Sequence, residues 1–207
     1  MTPDITAIHQ LGIKGFGKTD ALAESMGMSE ADLAPVLARL EQDGLTSPTR
    51  VGVRLSPDGK ARYEAIVAQQ RGALDADRLE AEHDQFVPLN AAFKTLVTDW
   101  QMREVDGAQV INDHSDPAYD AAIRDRLGPV HEGISALLTQ MAEHVPHMAQ
   151  YIRRFDGAIA RFQGGEEKYL TAPIIDSYHT VWFELHQDMI GLLGRSRAAE
   201  AQAGRAV

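Results

Sequence analysis

The chain has 207 residues, 44% of them hydrophobic and 24% charged, with a formal net charge of −10. Those proportions suit one or two soluble globular domains with a sizeable core. The absence of cysteine excludes disulfides, thiol chemistry and thiolate metal sites, and no apolar run approaches a membrane span. The first residues lack a secretory core, so a cytoplasmic location without membrane attachment is expected.

The charge is uneven along the chain. Up to Gly72, eight Lys or Arg face nine Asp or Glu; beyond it, twelve face twenty-one.

In chain order, Gly15-Phe16-Gly17-Lys18 lacks the preceding strand and full spacing of a phosphate loop and reads as a helix-helix turn. The segment "KTDALAESMG" then predicts a short helix, with Thr19 or Asp20 as cap, Leu22 and Met26 inward and Gly27 as terminator. A second helix follows in "SEADLAPVLARLEQDGL". Ser29 is its N-cap and Asp32 completes a weak capping box. Leu33, Val36, Leu37 and Leu40 make the buried stripe, and Gly44 stops it. Two capped helices joined by a very short turn are the helix-turn-helix signature. Next, "LTSPTRVGVRLSPDG" predicts a small β-hairpin turning at Val51-Gly52 with Arg50 and Arg54 beside its tip. Ser56 caps a further helix with Pro57 at its first position and Tyr63, Ile66 and Val67 inward.

This run resembles the MarR and PadR type winged-helix regulators. Their helix ending "RLEQDGL", wing and "L(S/T)P-x-G" are matched by Arg39 to Leu45 and Leu55 to Gly59. The resemblance covers about a third of the chain and implies a third helix in the major groove of double-stranded DNA, with the wing on phosphate or the minor groove. Carried onto this sequence, the DNA-binding set is Lys18, Ser29, Glu30, Ala34, Pro35, Ala38, Arg39, Arg50 and Arg54. The outward side of the helix is poor in base-reading residues. Arg39 stands alone, and Glu30 and Asp32 repel phosphate, so affinity would rest on a local patch that also takes in Lys14, Lys60 and Arg62. The competing interpretation is a winged helix that has become a protein-binding adaptor.

Residues 73–207 read as all-helical. The first helix carries Phe86, Leu89, Phe93, Leu96, Val97 and Trp100 at helical spacing and is bent or restarted at Pro88. The stretch "EVDGAQVINDHSD" reads as a polar loop. Asp116 and Pro117 open a helix interrupted at Gly128-Pro129; another runs from about His147 to Phe162, and the last from near Pro173 to Gly194, followed by a frayed Ala-rich tail.

The last helix places Ile175, His179, Trp182, His186, Met189 and Leu193 on one face, with Asp176 close by. With Asp113 and His114 of the polar loop, these imidazoles and carboxylates have the chemistry to hold a divalent metal or a polar or anionic ligand, although the spacing matches no zinc signature. The candidate ligand-binding set is Trp100, Asp113, His114, Asp176, His179, Trp182 and His186, and no particular cofactor is indicated. Histidines on a helix interface more often pin packing, and His144 and His147 read as helix-end caps. The region resembles the domain that follows winged helices in some actinobacterial-type regulators, through "LVTDWQ", "NDHSDPAYD" and "DSYHTVWFELH". No nucleophile motif accompanies the acids and histidines, so catalysis is not expected.

The expected fold is mainly α with a small β-hairpin: an N-terminal winged helix over 1–72 and a C-terminal helical bundle or dimerisation domain over 73–207. The expected function is a homodimeric DNA-binding transcriptional regulator that responds to a small-molecule or metal effector.

Overall fold

A computed structural model describes residues 1–202. The N-terminal part runs α1 (Pro3–Lys14), α2 (Thr19–Met26), α3 (Glu30–Gln42), β1 (Thr46–Thr49), β2 (Gly52–Leu55) and α4 (Pro57–Gly72). Its core joins Ala7, Ile8 and Leu11 of α1 to Leu22, Leu33, Val36, Leu40 and Ile66. The Ser29 hydroxyl caps α3 by accepting from the Asp32 amide at 3.1 Å. It donates to the Asp32 carboxylate at 2.6 Å, where the reciprocal box would have that carboxylate accept a backbone amide. Gly44 takes φ 72° beyond the end of α3, the left-handed turn that glycine adopts without steric cost.

Strands β1 and β2 are antiparallel, Thr46 opposite Leu55 and Thr49 opposite Gly52. The turn therefore lies at Arg50-Val51, one residue earlier than the sequence suggested. The α1–α2 link adds a third member to this sheet: Gly17 N donates to Val53 O at 2.9 Å and Val53 N to Gly17 O at 2.8 Å. A Cβ at Gly52 would collide with the Gly17 carbonyl oxygen, so glycine is what permits this close approach.

The remainder comprises α5 (Ala76–Gln101), β3 (Met102–Val105), β4 (Ala108–Ile111), α6 (Pro117–Ala142), a 3₁₀ turn (Pro146–Met148), α7 (Ala149–Gln163), α8 (Lys168–Thr171), α9 (Tyr178–Leu192) and α10 (Arg197–Gln202). The molecule is mainly helical with two small antiparallel hairpins. At 26 residues each, α5 and α6 are roughly 39 Å long and pack along one another. Around them α7 and α9 complete a core in which Trp182 stacks on Phe93 with ring centroids 4.4 Å apart. The Trp182 indole N–H is satisfied by Asn90 Oδ1 at 2.9 Å.

Several expectations for this half need correction. The polar stretch after α5 contains β3 and β4, joined by Asp106-Gly107 with φ of 51° and 81°. Asp-Gly with both residues at positive φ is the turn that matches strand twist. Helix α6 continues through Gly128-Pro129, and α5 through Pro88, without a break. Both prolines are exposed, so water can take the carbonyls they leave free. The last long helix starts at Tyr178, capped by Ser177, because Ile174 upstream adopts φ 74°, which no helix accommodates. The tail is ordered as α10, with Glu200 buried; residues 203–207 lie outside the described residues.

The two cores meet along a seam where α1 and α4 touch α9, and α2 touches α7. Arg153 of α7 donates to the Glu24 and Ser25 carbonyls at 3.1 and 2.9 Å, adding a side-chain cap to the end of α2. Among the described residues no helix is long and apolar enough to cross a membrane.

Candidate functional site

The outward face of α3 lies away from the seam. Glu30, Ala31, Ala34, Pro35, Ala38 and Arg39 are exposed, as are Lys18 at the start of α2 and Arg50 and Arg54 on the hairpin. Stripe residues Leu33, Val36 and Leu40 point inward, and this burial fixes which face of α3 is presented. Arg39 is held by Asp4 of α1 at 2.6 Å, which raises its pKa and draws its guanidinium back toward α1. The exposed α3 face thus carries Ala31, Ala34, Pro35 and Ala38 between Glu30 and Arg39, and further exposed cations lie on the hairpin and at Lys18.

The seam holds a buried ionic network that the sequence did not reveal. Arg154 of α7 donates to both Asp176 oxygens at 2.7 and 2.8 Å and to Glu184 Oε2 at 2.7 Å. Lys14, arriving from α1, reaches Glu184 Oε1 at 2.7 Å and Asp176 Oδ1 at 3.5 Å. Burial opposes the guanidinium's charge, yet the Glu184 and Asp176 carboxylates overcome it and raise the Arg154 pKa. Asp176, the candidate ligand residue near His179, is committed to this network. Two cations against two carboxylates balance the charge, the condition under which buried ions are tolerated.

Beside the network a cavity of roughly 390 Å³ opens between the two halves. The end of α1 and the α1–α2 link form one wall through Ile13, Phe16 and Lys18; Ile174, His179 and Phe183 form the other. Burial lowers the His179 pKa, so the ring is held toward its neutral form as a polar group in a largely apolar wall.

Other members of the candidate ligand set lie elsewhere. Trp182 is a core ring and His186 is buried against Phe86 with ring centroids 5.1 Å apart. Trp100 and His114 pack at 4.5 Å near the foot of the second hairpin, where His114 Nδ1 lies 3.0 Å from Asp120. Asn112 donates to Asp120 at 2.9 Å and to the Trp100 carbonyl at 3.1 Å, tying that hairpin to the start of α6. Asp113 is exposed, and hydrogen bonds from Ser115 hold its carboxyl below the usual range.

A third grouping was missed by sequence reasoning. His9 of α1 and Asp188 of α9 are fully buried, and His147 of the 3₁₀ turn, expected as a cap, places Nε2 3.1 Å from Asp188 Oδ2. His9 Nε2 lies 3.3 Å from Asp188 Oδ1. Burial resists the Asp188 charge, but His9 and His147 outweigh it and keep this carboxyl well below the ordinary range. The available signal was an aspartate set among the apolar residues Leu185, Met189 and Leu192 of α9. His144, also expected as a cap, contacts Glu82 at 2.9 Å.

No protein-family model, curated protein or solved structure matches the chain.

Proposed function

We propose that residues 1–72 are a winged helix-turn-helix and that the protein is a homodimeric, DNA-binding transcriptional regulator of MarR/PadR type. The observation that carries this reading is the orientation of the N-terminal half. Its seam uses α1, α2 and α4, while the outward face of α3 and the Arg50–Arg54 hairpin remain exposed together. A helix of this thickness with a basic hairpin beside it fits a major groove and its flanking phosphates. Ala34, Pro35 and Ala38 would meet thymine methyls, and Arg50, Arg54 and Lys18 would meet phosphate. Two copies reading a palindrome would hold their α3 helices roughly 34 Å apart, one turn of duplex.

The effector reading rests on the seam cavity. Its wall includes Phe16 and Gly17, and Gly17 is paired directly with Val53 of the hairpin. A small molecule lodged beside His179 and Lys18 would therefore press on the link that positions the hairpin, coupling occupancy to DNA affinity.

The adaptor reading has one observation in its favour. Arg39, the lone basic residue on the exposed side of α3, is engaged by Asp4, and Glu30 and Asp32 lie at the helix start. Selection of bound duplexes from genomic fragments, followed by mobility shifts at rising salt, separates the two. A regulator gives a preferred sequence whose affinity falls steeply with salt. Arg50→Ala combined with Arg54→Ala removes two arginines from each copy of the dimer, weakens binding across all sequences and reduces the salt slope by about 4. Failure to bind any duplex at low salt selects the adaptor.

A further inference from the structure

We propose that His9, His147 and Asp188 form a binding site for a divalent transition-metal ion that joins the two halves of the protein. The three side chains come from α1, the 3₁₀ turn before α7, and α9, so no local motif announces them. One donor atom from each lies within 4.8 Å of the others. The His9 and His147 rings meet nearly edge to face, with centroids 4.8 Å apart. Metal–ligand bonds of about 2.0–2.1 Å require modest inward movement of these donors.

His9 supplies the second, independent observation. It is 0% exposed; Nδ1 has no partner, and Nε2 has only the Asp188 carboxylate. Its Nε2 approaches Asp188 Oδ1 at 3.3 Å without the alignment of a hydrogen bond. Buried imidazole nitrogens are ordinarily satisfied, and an ion held between the two rings and the carboxylate would satisfy this one. Tyr151 donates its hydroxyl to Asp188 Oδ2 at 3.0 Å, the kind of outer partner that orients a ligating carboxylate. Two imidazoles with one carboxylate suit Zn²⁺, Fe²⁺ or Co²⁺ and leave further coordination positions for water; Mg²⁺ and Ca²⁺ prefer oxygen donors.

A second group in the same molecule also sets two histidines beside one carboxylate, in a different electrostatic setting. His83, His186 and Glu200 also bring their donors together. There Arg195 already supplies a positive charge, 3.3 Å from His83 Nδ1 and 3.5 Å from Glu200 Oε1. A guanidinium in that position neutralises the carboxylate and repels a cation, which makes this group the internal control.

The test uses the full chain, stripped with a chelator and titrated with Co²⁺, with visible absorbance reporting nitrogen and oxygen coordination. The expected result is a saturable band at one Co²⁺ per chain, displaced by Zn²⁺, and a rise in melting temperature on Zn²⁺ addition. His9→Gln and Asp188→Asn should each weaken binding by more than about 100-fold, beyond the usual effect of losing an outer partner, while His83→Gln keeps the parent affinity. If His9→Gln does not fold, His147→Gln carries the same expectation. A parent with no saturable band overturns the proposal, as does parent affinity in folded His9→Gln, or equal loss in His83→Gln. None of these readouts involves DNA, so they decide the metal site separately from gene regulation.

Discussion

The two halves use charge in opposite directions. In the helical half, Arg154 is buried among carboxylates and Asp188 between imidazoles, so ionisable groups work inside the fold. In the N-terminal half, Lys18, Arg50 and Arg54 are exposed and the hydrophobic core is a plain set of leucines, valine, isoleucines and alanines, while α1 lends Lys14 and His9 to the buried groups at the seam. The hairpins repeat the contrast at small scale. β1–β2 carries arginines at Arg50 and Arg54 and is pinned to the fold by Gly17, whereas β3–β4 turns through Asp106 with Glu104 and Gln109 nearby. Equal strand lengths thus carry exposed arginines on one hairpin and an acidic turn on the other.

Substitutions that exchange these roles should separate the halves. The largest effect is expected for Arg154→Leu, which strands Asp176 and Glu184 with Lys14 as their remaining cation. Loss of one partner from a buried ion network costs about 3–5 kcal/mol, read by urea denaturation. Next comes Gly52→Ala, whose Cβ meets the Gly17 carbonyl and the Phe16 ring. It should cost about 1–3 kcal/mol and weaken duplex binding by displacing the hairpin, with helical content by circular dichroism retained. A destabilisation as large as that of Arg154→Leu would mean that the hairpin is part of the core framework.

A smaller, pH-dependent effect tests the inward charges further. Burial pushes the Asp176 carboxyl up, but Arg154 and Lys14 pull it lower still, so its folded pKa lies below the ordinary value. Such a group contributes stability that is present above its unfolded pKa, about 3.9, and is lost as pH falls through the folded value. Denaturation midpoints measured from about pH 6 down to about pH 3 should fall in the parent and fall less steeply in Asp176→Asn. Identical slopes would remove Asp176 from the stabilising network.

The readable parts of this fold were the local ones. Ser29, Ser56 and Asp116 cap the helices they were assigned to, and the leucine spacing of α3 predicted which side is buried. Caps and periodicity act within a few residues, so the sequence displays them directly. The second hairpin was not read: Asp106-Gly107 was its available signal, but the polar residues around it suggested a loop. The seam was not legible. Lys14 meets Glu184, and His9 meets Asp188, across most of the chain length, and no spacing rule connects such positions. His179, His186 and Asp176 looked like one site because helical periodicity groups them. In the structure they serve a cavity wall, a buried ring contact and an ion network respectively.

The central claim is that DNA is met by α3 and the first hairpin. Hydrogen exchange of backbone amides, with and without a duplex recovered by selection, tests it most directly. Binding should slow exchange over residues 29–42 and 50–54 while leaving residues 102–111 unchanged. Protection confined to the second hairpin, or an unaltered α3 in the presence of saturating duplex, would contradict it.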